Sequence, residues 1–253
     1  MRFIDEAAKR SAARAERERE GILALELSEH APLDLASALS SPELSFICEL
    51  KRASPTLGPI KDADPVKVSR AYEAAGAAAI SVLTEPASFG GSMEDLAAVR
   101  KTVDIPLIRK DFLTDPVQIR QARAYGADAV LLIIGILGDR LAQMLAETSS
   151  YGMQALVEVH TGEELEIAIS SGAKIIGVNN RDLASLEIDL GVCERLLPKI
   201  PQGIIAVAES GVKGAEDAAR MREAGADAVL VGSSLMQAQD PGAKLTELSA
   251  GAR

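Results

Sequence analysis

The sequence predicts a single (β/α)8 barrel, the TIM-barrel architecture, carrying an N-terminal helical extension. Eight short apolar runs alternate with eight helical stretches between residues 45 and 249. Consecutive runs lie ~20–30 residues apart, which suits βα units whose parallel strands are covered by helices. One phrase recurs in variant forms: AGAAAISVL at 75–83, YGADAVLLI at 125–133, SGAKIIGVN at 171–179 and AGADAVLVG at 224–232. In each, glycine caps a helix and a strand-length apolar run follows. The 253-residue length is close to the ~250 residues of an ordinary barrel of this kind. An open doubly wound sheet is the alternative, disfavoured because it would usually carry a glycine-rich dinucleotide fingerprint, which the chain lacks.

Taken in order, strands are expected near 45–50, 78–83, 106–110, 128–134, 153–158, 174–179, 203–208 and 227–231. Helices are expected near 65–75, 92–101, 115–124, 139–149, 162–170, 189–198, 214–223 and 241–249. Residues 1–43 fall outside this repeat. DEAAKRSAARAERERE has charges of both signs at helical spacing and reads as a solvated helix; APLDLASAL reads as a second, short one. The expected organisation is one barrel domain over 1–253, with 1–43 as an extension packed on it.

A chain that is 47% apolar and 25% charged, with no Trp, needs a largely aliphatic core. Its net charge of -10 argues against nucleic acid or an anionic membrane as the main partner. An anionic substrate would then need positive charge concentrated locally. Cys48 and Cys193 stand far apart without a metal-type spacing and read as core thiols. No signal-type or membrane-length apolar run is present, so a cytoplasmic location is expected. The sequence does not fix an oligomeric state, and a monomer is compatible with it.

Barrels of this class place their chemistry at the C-terminal ends of the strands. The strand ends here read ICELKRASPTLG, VLTEPASFGG, LIRKDF, LVEVH, IGVNNRDL, VAESGV and LVGSSLM. The period of two sorts them: Glu49 and Lys51 share one face, and Lys110 shares a face with Ile108, opposite Arg109. With Lys110 inward, Arg109 points to the helix layer, where Arg109 and Asp111 read as an ion pair or loop cap. Glu49, Lys51, Lys110, Glu158, Asn179 and Glu209 then converge on one mouth. Three carboxylates and two ammoniums confined together lose hydration, so they must be paired or used, and such a network suits acid–base work. ESG at 209–211 and GSS at 232–234 follow the last two strands, where such barrels commonly hold phosphate. SSLMQA reads as the start of a short helix. His30 reads as a surface residue and His160 as peripheral. No metal-ligand set, P-loop or Ser/His/Asp arrangement is found.

ELKRASP at 49–55, RKDF at 109–112, VEVH at 157–160, NNRDL at 179–183, AESGV at 208–212 and VGSSLM at 231–236 together resemble indole-3-glycerol phosphate synthase. The match runs in order across most of the chain and includes the length of the extension. That family converts 1-(2-carboxyphenylamino)-1-deoxyribulose 5-phosphate to indole-3-glycerol phosphate, with loss of CO2 and water. The resemblance implies a lyase of tryptophan biosynthesis, acting on a small phosphorylated molecule without a cofactor or metal. It implies that Lys110 protonates the substrate ketone and that Glu158 moves protons in the later steps. Lys51 would hold anionic groups and act as an acid in dehydration, Glu49 and Asn179 would orient these groups, and Glu209 would support the network. Arg181, Leu183, Phe89 and Phe112 would flank the aromatic end, with Ser54 in the adjoining loop. Ser210, Gly211, Gly232 and Ser233 would receive the phosphate. One departure stands out: family members often have Ser and then a basic residue after ASP, whereas Thr56 and Leu57 stand here. It bears on the first loop and on affinity more than on the reaction type. Alternatives on the same barrel are a class I aldolase or isomerase with Lys110 forming a Schiff base, and a phosphosugar-binding module without catalysis.

Overall fold

A computed structural model describes residues 2–250 of the chain; residue 1 and residues 251–253 of the predicted span lie outside the described residues. Eight parallel strands close into a barrel: β1 Ser45–Leu50, β2 Ala79–Leu83, β3 Leu107–Lys110, β4 Ala129–Ile133, β5 Gln154–Val159, β6 Ile175–Asn179, β7 Ile205–Glu209 and β8 Ala228–Val231. Each pairs with its sequence neighbours, and β8 closes the ring onto β1, with Ser45 opposite Ala228 and Cys48 opposite Val231. The fold is the predicted (β/α)8 barrel.

The helices are α1 Phe3–Ala24, α2 Leu35–Leu39, α3 Pro65–Ala74, α4 Pro86–Phe89, α5 Met93–Arg100, α6 Pro116–Ala124, α7 Ile134–Leu137, α8 Leu141–Ser150, α9 Gly162–Ser170, α10 Gly191–Leu196, α11 Ala215–Glu223, α12 Ser233–Gln237 and α13 Pro241–Ala250. Most boundaries fall within a residue or two of expectation, and the larger offsets have local causes. Strand β7 begins at Ile205 because Gly203, at φ +88, is still in the preceding turn. Helix α10 gives way to a 3-10 turn over Leu197–Lys199 at Pro198, which has no N–H to continue the ladder. The chain after β1 forms a small antiparallel hairpin, with Ala53 opposite Pro59 and Ser54 opposite Gly58.

Strand alternation divides the core into two layers. Inward residues, among them Ile47, Ala79, Ile108, Leu131, Leu156, Ile175, Val207 and Leu230, fill the barrel. Their outward neighbours, including Cys48, Ile80, Leu107, Leu132, Val157, Ile176, Ala208 and Val229, pack under the helices. Both cysteines are buried and free, and burial pushes the Cys193 thiol up to about 12.

The extension departs from the expectation of a solvated helix. In α1 a stripe of Ile4, Ala7, Ser11, Ala15 and Ile22 is buried, and the helix lies along α6. Small Ala and Ser side chains permit this close approach while giving the stripe little hydrophobic signal. His30 is likewise not a plain surface residue: its Nε2 lies 2.7 Å from Asp128 Oδ1. The completely buried Asp128 also accepts from the backbone of Leu33 and Leu107 and from Arg100. It thereby ties the extension to the bottom of the barrel. No described helix is long and apolar enough to cross a membrane.

Candidate active site

The inward position at the end of each strand decides what faces the mouth. Lys110 ends β3 on the face of Ile108, and its ammonium lies 2.6 Å from Glu209 Oε2, 3.8 Å from Glu158 Oε2 and 3.9 Å from Glu49 Oε2. Lys51 pairs with the other oxygen of Glu49 at 2.6 Å. Asn179 Nδ2 donates to Glu158 Oε1 at 2.9 Å, and Asn179 Oδ1 accepts from the backbone N–H of Arg181 at 2.9 Å.

Two glycines make room for this network. A Cβ on Gly177 would come within 2.1 Å of Glu209 Oε1, and one on Gly232 within 2.2 Å of Glu49 Oε1. Any larger residue at either place would push a carboxylate out of position.

Charges packed this closely retune one another. Burial alone would lower the Lys110 pKa, but Glu209, Glu49 and Glu158 together outweigh it and raise it above the ordinary lysine value. Glu158 is pushed up to about 7, first by burial and then by the Glu209 carboxylate; Lys110 and Asn179 only partly oppose the shift. Glu49 is also disfavoured by burial, yet Lys51 and Lys110 hold it below the usual carboxylate value. The mouth thus combines a firmly protonated ammonium, an ionised carboxylate and a carboxyl poised near neutrality.

These groups open into a cavity of about 610 Å³. Five of the six residues predicted for catalysis, Glu49, Lys51, Lys110, Glu158 and Asn179, line it, as do Phe89, Phe112, Arg181 and Leu183. Phe112 lies 6.2 Å from Phe89 and 5.9 Å, edge-on, from Phe3 of the extension. Ser210, Gly211, Gly232 and Ser233 line the wall at the ends of β7 and β8. Two predicted residues stand elsewhere. Glu209 is 1% exposed and sits behind Lys110 rather than in the cavity wall. Ser54 is outside the wall, its hydroxyl accepting from the N–H of Leu57 at 3.1 Å within the first loop.

Arg109 and Asp111 form the expected ion pair, at 3.1 Å. Arg109 is completely enclosed, donating also to Thr84 and to the carbonyl of Gln118 in α6. Asp111 gains a further partner, Arg14 of α1, at 2.6 Å. Arg14 carries no local mark that could have singled it out. His160 stays outside the cavity wall, its Nδ1 2.7 Å from the Asn179 carbonyl. Several wall residues also escaped the sequence reading: Glu85, Leu186, Ile188 and Lys213. All lie in loops, beyond the reach of strand alternation.

A closed parallel barrel with a part-buried ammonium among three carboxylates, and small-residue turns at its last two strands, defines an acid–base enzyme of the (β/α)8 class. Solved structures of related shape include thiamine phosphate pyrophosphorylase from Pyrococcus furiosus, with a TM-score of 0.64 and 20% identity over 87% of this chain and 98% of that one. Another is 3-hexulose-6-phosphate synthase from Salmonella typhimurium, at 0.65 and 14% over 83% and 98%. At such identities the likeness is one of fold. The family description "Indole-3-glycerol phosphate synthase" matches residues 5–248. Proteins of that name from Mycobacterium avium (strain 104) and Rhodococcus opacus (strain B4) are each 52% identical, over 219 and 218 residues. The matches cover 86% and 85% of this chain, and 80% and 81% of those proteins. The chain belongs to the indole-3-glycerol phosphate synthase family.

Proposed function

We propose that this cavity closes the indole ring of 1-(2-carboxyphenylamino)-1-deoxyribulose 5-phosphate, forming indole-3-glycerol phosphate, CO2 and water. The observation that carries the assignment of roles is the Lys110 ammonium held at the mouth by three carboxylates. The ring carbon bearing the carboxylate is a weak nucleophile, and its attack on the ketone builds negative charge on the ketone oxygen. Lys110 stabilises that charge and delivers the proton, leaving a hydroxyl. Loss of CO2 returns its bonding pair to the ring and restores aromaticity. A proton then leaves and the hydroxyl departs as water, with Glu158 and Lys51 as the transfer partners. Glu158, at about 7, can both accept and donate near neutral pH.

The two ends of the substrate match two kinds of wall. Phe89, Phe112 and Leu183 supply an apolar end, with Arg181 beside it for the ring carboxylate. Ser210, Gly211, Gly232 and Ser233 form the phosphate end, and Lys51 is close through its pairing with Glu49. Glu49, Asn179 and Glu209 orient the two lysines and Glu158. This reading includes a cytoplasmic enzyme whose whole length, 1–253, acts as one domain on a free small molecule.

Purified protein given this substrate in the presence of a metal chelator, with no nucleotide added, should develop indole fluorescence. Substrate that binds without any such signal would refute the reading and favour a binding module. Trapping of a Lys110 adduct by borohydride would instead favour Schiff-base chemistry.

A further inference from the structure

Among the described residues, two other than glycine adopt a left-handed backbone: Leu186, at φ +64, and Ser210, at φ +66. A Cβ makes that conformation costly, so it persists only where neighbours enforce it. Both residues line the cavity, from different loops. Each has its carbonyl held by the side chain of one of two consecutive residues at the exit of β6. Arg181 Nη1 donates to the Leu186 carbonyl at 2.8 Å, and Asn180 Nδ2 donates to the Ser210 carbonyl at 3.0 Å.

Asn180 takes no part in the chemistry assigned above and is outside the cavity wall. It is nevertheless completely buried, and its amide is committed at both ends: Oδ1 accepts from the N–H of Cys193 in α10 at 3.0 Å. Its backbone N–H donates to the Glu209 carbonyl at 2.9 Å. The side chain therefore has one orientation, with its donor aimed at the turn after β7. Gly211, next along that turn, is also left-handed at φ +92, and a Cβ there would collide with Leu190 at 2.5 Å.

We propose that Asn180 is a positioning residue for the phosphate end of the substrate, holding Ser210 left-handed so that the Ser210–Gly211 turn faces the cavity. The inference rests on the reading that this turn receives the phosphate. Without the Asn180 donor, Ser210 relaxes toward negative φ and the turn loses its aim. Asn180→Asp tests this closely, because a carboxylate of the same shape still accepts from Cys193 but cannot donate to Ser210.

Inorganic phosphate, assayed as a competitive inhibitor, is the probe. In Asn180→Asp, its inhibition constant and the substrate KM should rise together by about tenfold, with kcat within about threefold of the parent. In a Ser210→Gly background the same change should cost about twofold or less, because glycine holds the turn unaided. Should the buried carboxylate prevent folding, Asn180→Ala, which removes the donor and adds no charge, is read in its place. An unchanged inhibition constant, an equal loss in both backgrounds, or a fall in kcat alone would overturn the proposal. Absence of competitive inhibition by phosphate in the parent protein would instead refute the phosphate reading of the turn, and the proposal with it.

Discussion

Neighbouring residues Arg109 and Lys110 carry like charges to opposite fates. Alternation sends Lys110 into the mouth and Arg109 into the layer beneath α6; LIRKDF shows that the two face opposite ways, and the polar residues ending the other strands show which of them faces inward. The pairing of Arg109 with Asp111 was legible too, but not the third member, Arg14, which comes from 97 residues away. Nor could the sequence give the state of Glu158, whose carboxyl near 7 depends on burial and on Glu209. Glu209 was predicted among the catalytic residues because it shares the inward face. The closed barrel holds it against Lys110, level with Asn179 in register and outside the cavity wall. Gly177 gives this arrangement a test. In Gly177→Ala the new methyl displaces the buried end of Glu209 and crowds Leu156 Cδ1, 3.2 Å away, so stability should fall by about 1–3 kcal/mol and leave the protein folded. Activity should nevertheless fall about tenfold or more, because Lys110 loses its nearest partner. Parallel urea unfolding and steady-state kinetics separate the two effects; a fully active variant would show that the Lys110–Glu209 contact does not matter.

At the scale of elements, the strands were the most legible part of the chain, since most are short apolar runs with polar residues at or near their C-terminal ends. The loops were least legible. Glu85, Leu186, Ile188 and Lys213 reach the cavity through turns that no periodicity predicts. Helix α1 was legible as a helix but misread as solvated, because its buried stripe is built largely from Ala and Ser. Its contact with the rest of the protein is partly electrostatic: Arg14 reaches Asp111, which Arg109 and Thr84 also hold. Burial lowers the Arg109 pKa despite the attraction of Asp111, while the two arginines hold Asp111 below its usual value against the opposing effect of burial. Arg109→Ala leaves this buried set incomplete and should cost about 3–5 kcal/mol. A lowered urea midpoint with an unchanged slope is the expected result; an unchanged midpoint would mean that Arg14 alone satisfies Asp111.

For the whole molecule, a net charge of -10 coexists with a mouth in which Lys51, Lys110 and Arg181 gather around buried carboxylates. Holding Glu158 there has a consequence for stability. Its pKa is raised from an ordinary 4.5 to about 7, so between those values the folded state binds more protons than the unfolded one. The Glu158 contribution to stability is therefore fully present below about pH 4.5 and lost as the pH rises through about 7. Glu158→Gln removes that titration. The variant should melt higher than the parent at pH 8, with each ~1 kcal/mol gained worth about 2–4 °C, and the difference should shrink toward pH 5. Equal melting temperatures at both pH values would contradict the raised pKa. Low activity in the same variant would mark Glu158 as a group kept for chemistry at the expense of stability.

The central claim is that the Lys110 ammonium is the acid for ring closure. Steady-state kinetics of Lys110→Ala on the carboxyphenylamino-deoxyribulose phosphate test it most directly. An interaction made chiefly in the transition state should, when removed, lower kcat by about 100-fold or more while KM changes by only a few-fold. A variant that keeps most of its kcat, or loses only affinity, would contradict the assignment and move the acid to another residue of the mouth.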